Sequence, residues 1–213
     1  MLRSRSVEVV LILALATSAT AASPPSSGPA AVIARRIQER HHNIRDLKAR
    51  FTQTYDSSLL GRQVVERGTL SLKRPDRMLW EYESPEKKVF VSNGRKSYFY
   101  VPADRQVVVH ESQGEKGVAL DLLSGRSDLL AEFDVSPVEG SSTRIRLVPR
   151  AANAEVRQIV LEADATGRIE WLELVDLQGS RSSFRLEGVK ENVGLSDQLF
   201  EFKIPRGVEV VTG

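Results

Sequence analysis

The chain has 213 residues, of which 41% are apolar and 27% charged, with a formal net charge of +2 and no cysteine. That is enough chain for one domain with a real core, and too apolar for a disordered one. The small net charge argues against nucleic-acid binding, and the missing cysteines exclude disulfides, thiol catalysis and thiolate metal ligands.

The first 22 residues read as a leader. Arg3 and Arg5 precede an apolar run centred on Val9–Ala16, and Ala19-Thr20-Ala21 supplies a small-residue cleavage site. The run is too short to span a bilayer, so a cleavable secretory signal over 1–22 and a single mature domain over 23–213 are expected. No cysteine follows the run, so lipid attachment at the mature N-terminus is not expected. Ser23–Pro29 is a Pro- and Ser-rich connector.

The spacing of Ile33, Ile37, Ile44 and Leu47 predicts an amphipathic helix over about 30–43, with Arg35, Arg36, Glu39 and Arg40 on other faces. From Leu47 the period switches to two. Leu47, Ala49, Phe51, Gln53 and Tyr55 share one side of a strand. Further strands are expected over 64–73, 77–82, 88–92, 96–101 and 106–110. The turns are Gly61, Pro75-Asp76, Ser84-Pro85, Asn93-Gly94 and Pro102–Asp104, of which Asn-Gly is the strongest hairpin signal. Connections this short predict antiparallel neighbours.

Gln113–Ala131 breaks the pattern. Leu120, Leu122, Leu123, Leu129 and Leu130 crowd into it between glycines, which predicts one or two short helices or a structured loop. Strands resume over 133–137, 143–148, 156–163, 169–176, 181–189 and 199–204, with a short piece at 208–211. Around Trp171-Leu172 both faces are apolar, which predicts cover on both sides or a bulge. The total is about ten or eleven strands, one N-terminal helix and one helical insertion, and a meander of that size curls into a barrel or a partial barrel.

The chain carries little catalytic vocabulary. His41 and His42 are adjacent, so on a helix they point about 100° apart and cannot face one metal; both read as solvated. His110 stands alone at a strand end. No H-E-x-x-H, G-x-S-x-G, P-loop or G-x-G-x-x-G occurs. The Glu81/Glu83 alternation suits cross-strand ion pairs. An enzyme is therefore not expected, nor is a metal or other cofactor. What remains is a curled sheet with an amphipathic helix and a leucine-rich insertion available to cover it, either as a plain core or as a closable apolar cavity.

Several segments carry a family resemblance: F-T-Q-T at Phe51–Thr54, G-x-L-x-L-K-R-P at Gly68–Pro75, W-E-Y-x-x-P at Trp80–Pro85, V-S-N-G at Val91–Gly94 and Y-F-Y-V-P at Tyr98–Pro102. Gln106-Val107, L-V-P-R at Leu147–Arg150, D-x-x-G-S-R-S-S at Asp176–Ser183 and F-x-F-K-I-P-x-G-V-E-V-V at Phe200–Val211 extend it. In this order and spacing the chain, from about Leu47 to Val211, resembles the LolA family of bacterial outer-membrane lipoprotein carriers. The resemblance implies a mainly β fold: an unclosed antiparallel barrel whose apolar cavity is lidded by the 30–43 helix and the Val118–Gly125 segment. It implies a periplasmic, monomeric carrier. Such a carrier takes acylated lipoproteins from an inner-membrane ABC transporter and passes them to a LolB-like outer-membrane acceptor. The arginine of K-R-P, Arg74, is implied to latch the lid. Ile37, Phe51, Met78, Trp80, Tyr82, Phe90, Tyr98, Leu120, Leu122 and Leu123 are expected to line the cavity. Met78 stands where relatives often carry phenylalanine, and Val118-Ala119 where they commonly have a proline opening the lid helix. The alternative is a half-barrel of the same shape that carries free lipids or glycolipids.

Overall fold

The computed structural model describes residues 28–59, 61–111, 118–152 and 154–212, with only the backbone of 118–120. The leader expected over 1–22 lies outside the described residues. Helix α1 spans Pro29–His42. Pro29 opens it with a preset φ and no amide to satisfy, and the Asn43 amide closes it on the carbonyls of Arg40 and His41. Ala30, Ala34, Ile37 and His41 form its buried stripe.

Six strands follow as a meander: β1 (Asp46–Asp56), β2 (Gln63–Lys73), β3 (Arg77–Ser84), β4 (Lys88–Asn93), β5 (Lys96–Val101) and β6 (Gln106–Glu111). The insertion forms two short helices, α2 (Val118–Leu123) and α3 (Leu129–Glu132). Asp128 caps α3 by accepting from the amides of Leu130 and Ala131. A second meander runs β7 (Phe133–Pro137), β8 (Arg144–Pro149), β9 (Val156–Ala163), β10 (Ile169–Asp176) and β11 (Arg181–Glu191).

The expected strand at 199–204 is absent. A 3-10 turn occupies Asp197–Phe200, capped by the Ser196 side chain, and residues 201–205 run on without ladder pairing. The F-x-F alternation serves packing instead. Phe200 is fully buried against Leu79 and Val91, and Phe202 lies on Tyr98 and Tyr100. The terminal piece becomes a twelfth strand, β12 (Glu209–Thr212), which joins β6 in parallel, whereas the other pairings are antiparallel.

The twelve strands form one sheet in the order β12-β6-β5-β4-β3-β2-β1-β11-β10-β9-β8-β7. Its edges, β12 and β7, do not pair, so the barrel is open. Residues of β1–β3 (Leu47, Leu70, Trp80) and of β7–β11 (Phe133, Ile145, Ile159, Leu172) share one apolar cluster. β1 adjoins β11, so these strands are one continuous run. Members as far apart in the order as β3 and β8 can share a cluster in this way only if the sheet curls; the shared side is its concave face. Ala34 and Ile37 of α1, Leu122 and Leu123 of α2, and Leu129 of α3 complete that cluster and cover the face. The C-terminal Leu195–Phe202 stretch packs on the convex face over β3–β5. The apolar strand around Trp171 carries a register shift against β9, and Arg144 lies 4.9 Å over the indole.

Candidate functional site

The concave face is built from cross-strand neighbours. Ala49, Leu70, Trp80 and Phe90 are aligned across β1 to β4. One row further on, Phe51 is opposite Gly68, and Gly68 is opposite Tyr82. Gly68 is required there: a Cβ would lie 1.9 Å from the Glu81 carbonyl oxygen and 3.0 Å from the Phe51 ring. The space it leaves lets Phe51 meet Trp80 edge-to-face at 4.8 Å and Tyr82 at 5.0 Å, with Phe184 of β11 5.3 Å from Trp80. The Trp80 indole N–H donates to the Met78 sulfur. Deep in the face, Leu70, Ile145, Leu147, Ile159, Leu161 and Leu172 have no solvent contact.

Arg74 sits in the β2–β3 turn and ties the cover down. Its Nε donates to the Ser124 carbonyl (2.7 Å), Nη1 to the His42 carbonyl (3.0 Å) and Nη2 to the Gly125 carbonyl (2.8 Å). One guanidinium thus joins the end of α1 to the loop after α2, using the fork of donors that only arginine offers. Gly125 has φ +67, and a Cβ there would lie 2.7 Å from Arg74 Nη2 and from the His41 carbonyl. Beside it, Arg126 pairs with both Asp76 of the β2–β3 turn and Asp121 of α2. Below the latch, Ile44, Leu47, Leu72 and Leu123 border a space of only about 10 Å³, so the cover seats closely.

His41 departs from expectation. His42 is exposed, but His41 is 3% exposed, and its Nδ1 lies 3.1 Å from the Leu123 carbonyl. Its Nε2 has no hydrogen-bond partner. Burial pushes its pKa below the ordinary histidine value, against the pull of the Leu123 carbonyl and the Glu191 charge. A neutral imidazole donating from Nδ1 fits both facts. His41 is therefore a second tie between α1 and α2. Two more ties hold α1: Arg40 grips Glu191 of β11 through Nε (3.0 Å) and Nη2 (2.7 Å), and Gln38 accepts from the Leu129 amide.

Of the residues expected to line a cavity, Ile37, Phe51, Met78, Trp80, Leu122 and Leu123 are buried together on the concave face, and Tyr82 and Phe90 are half-buried at its margin. Leu120 lies in α2, but its side chain is outside the described residues. Tyr98 is not with them: it faces the convex side, 5.3 Å from Phe202. Sequence reasoning missed Phe184 and His41. The helical spacing of His41 from Ala30, Ala34 and Ile37 was the available signal for the histidine.

Among the described residues no group of three or more His, Asp or Glu is arranged to hold a metal, and no helix is long and apolar enough to cross a membrane. Fold and site together define a half-barrel whose largely apolar inner face is covered by helices tied to the β2–β3 turn by polar side chains. The chain belongs to the LolA family: residues 42–203 match the family described as outer membrane lipoprotein carrier protein LolA. It is 31% identical over 179 residues to the outer-membrane lipoprotein carrier protein of Legionella pneumophila (strain Corby), covering 82% of this chain and 87% of that protein. The protein of the same description from Sodalis glossinidius is 28% identical over 172 residues, covering 81% and 84%. Among solved structures, an uncharacterized conserved protein of Thermus thermophilus shares the fold, with a TM-score of 0.52 at 14% identity, covering 87% of this chain and all of the other.

Proposed function

We propose that the protein is a periplasmic lipoprotein carrier that holds the acyl chains of its cargo against the concave face, under α1 and α2. The observation that carries this reading is the set of Arg74 hydrogen bonds that ties the cover down over a largely apolar face. Its physical logic is a balance. Each buried CH₂ stabilises the bound state by about 0.8 kcal/mol, so exposed acyl chains could not cross an aqueous space unaided. The same chains must also leave again. A cover tied by a few hydrogen bonds from a charged donor, each worth about 1.5–3 kcal/mol, and seated on its own apolar side chains, can be displaced by an entering chain that buries more CH₂ groups and can close behind a departing one. In the closed form the protein's own side chains fill the face, so cargo entry requires the cover to lift.

The reading includes an inner-membrane ABC transporter as donor and a LolB-like outer-membrane protein as acceptor. Family membership supports a carrier rather than an enzyme. Depletion of the protein in its own cells tests the reading. Lipoproteins destined for the outer membrane should accumulate at the inner membrane. Normal lipoprotein sorting with altered free lipid or glycolipid distribution would replace it by the free-lipid carrier.

A further inference from the structure

The concave face is not apolar to its end. Beyond Phe51 and Phe184, toward the β1–β2 and β3–β4 turns, β1, β2, β4 and β11 turn polar side chains onto it. Lys88 Nζ pairs with Glu66 at 2.7 Å and lies 4.6 Å over the Tyr82 ring. The Tyr82 hydroxyl donates to Gln53 Oε1 (2.9 Å), and Gln53 Nε2 donates to the Ser182 hydroxyl (3.1 Å). The alternation of β1 puts Gln53 on the same side as Phe51. Glu66 is opposite Gln53, and Lys88 is opposite Tyr82. The five side chains therefore form one connected set beside the aromatic cluster. Burial, and then the Glu66 charge, push the Tyr82 pKa up to about 12, so its hydroxyl keeps its proton.

Nothing in the fold requires charge here. An ion pair withdrawn from water is a weak source of stability, and apolar side chains of the same volume would serve the core as well or better. What the cluster does supply is a neutral, donor-bearing margin where an apolar face meets solvent. Lys88 keeps ammonium protons beyond the one directed at Glu66. A carbonyl oxygen arriving with an acyl chain can accept one of them. A carboxylate arriving in the same place meets Glu66 at close range in a half-desolvated site.

We propose that Glu66, Lys88, Gln53, Tyr82 and Ser182 form a polar subsite for the ester and amide carbonyls at the head of an acyl chain, and that the Glu66 charge makes it select neutral acyl esters over free fatty carboxylates. The proposal rests on the acyl-carrier reading and names the part of the ligand that the apolar face leaves over. Lys88 is the donor, Tyr82 and Gln53 hold the frame, and Glu66 is the specificity-determining residue.

The test is a binding titration of the full chain with two probes of equal chain length, a monoacylglycerol and the corresponding fatty acid, at neutral pH. The wild type should bind the ester about tenfold more tightly than the acid. Glu66→Gln leaves Lys88 unopposed and should bring the acid level with the ester or above it. The double variant Glu66→Gln/Lys88→Met removes both charges together, which keeps folding intact if the single variant is unstable. It should bind both probes with little preference. Equal wild-type affinities, or a ratio that does not move in Glu66→Gln, overturn the subsite and leave the carrier reading standing. Binding of neither probe refutes the acyl-binding face on which both rest.

Discussion

Arg74→Leu is the sharpest perturbation of the cover. It removes donors to the carbonyls of Ser124, His42 and Gly125 and replaces them with an isobutyl group that can donate to none. Hydrogen bonds from a charged donor are worth about 1.5–3 kcal/mol each. The bond to His42 is exposed, and the freed carbonyls can be partly rehydrated. A net loss of about 2–4 kcal/mol in cover closure follows, equivalent to roughly a 30- to 700-fold rise in the open fraction. The fold should stand, because the apolar cluster remains intact. Hydrogen exchange reads the effect directly. The amides of Gly125 and Arg126, bonded to the carbonyls of Leu122 and Asp121, should lose protection by that factor, while β1 and β2 keep theirs. In a reconstituted transfer assay the variant should load acylated cargo and pass it on poorly, since closure no longer competes with cargo for the face. Unchanged exchange over 118–126 together with unchanged loading and release would refute the latch.

His41 makes the cover sensitive to acid. Its folded pKa lies below the ordinary value of 6.5, so the stability it contributes is complete above about 6.5 and is lost as the pH falls from there toward the folded value. Relative to the intrinsic base-catalysed exchange rate, cover amides should be less protected at about pH 5.5 than at about pH 7.5, and His41→Asn should flatten the difference; an equal change in protection in both proteins rejects this role. Gly125→Ala puts a methyl group against Arg74 and the His41 carbonyl at a positive φ. It should loosen the same amides, by about 1–2 kcal/mol from the backbone alone, without shifting protection in the sheet. Phe51→Ala empties the centre of the aromatic cluster and should lower unfolding stability by about 3–5 kcal/mol, part of it recovered by a saturating long-chain acyl ester. A loss under about 1 kcal/mol in urea unfolding would mean that the ring does not organise the face.

Much of the architecture was legible because it is local. The Asn93-Gly94 hairpin follows from a backbone conformation that Gly94 adopts at φ +88, and the period-two run of β1 follows from one covered face. The failures are non-local. The F-x-F pattern at Phe200 and Phe202 reads as a strand, but alternation does not distinguish ladder pairing from packing on a convex surface. The parallel partnership of β12 with β6 joins segments about a hundred residues apart and leaves no short-range signal. In Tyr98-Phe99-Tyr100 both parities are aromatic, so register decides which ring faces inward: Phe99 is opposite Phe90, and Tyr98 turns out to Phe202. The site was less legible than the fold. A lone arginine after a strand reads as surface charge, and only the resemblance singled out Arg74, whose bonds to Ser124, His42 and Gly125 depend on tertiary placement. His41 was obscured by its exposed neighbour. The Glu66–Lys88 pair was invisible because its two strands meet through β3.

The central claim is that acyl chains of lipoproteins lie on the concave face. A photo-crosslinking residue placed at Phe90, half-buried at the margin of that face, tests it when expressed in the protein's own cells, with the captured species identified by mass spectrometry. Adducts to the acyl chains of lipoproteins are expected, reduced or lost when the same group is placed at Tyr98 on the convex face. Adducts to free lipids alone, or equal capture from both faces, would contradict it.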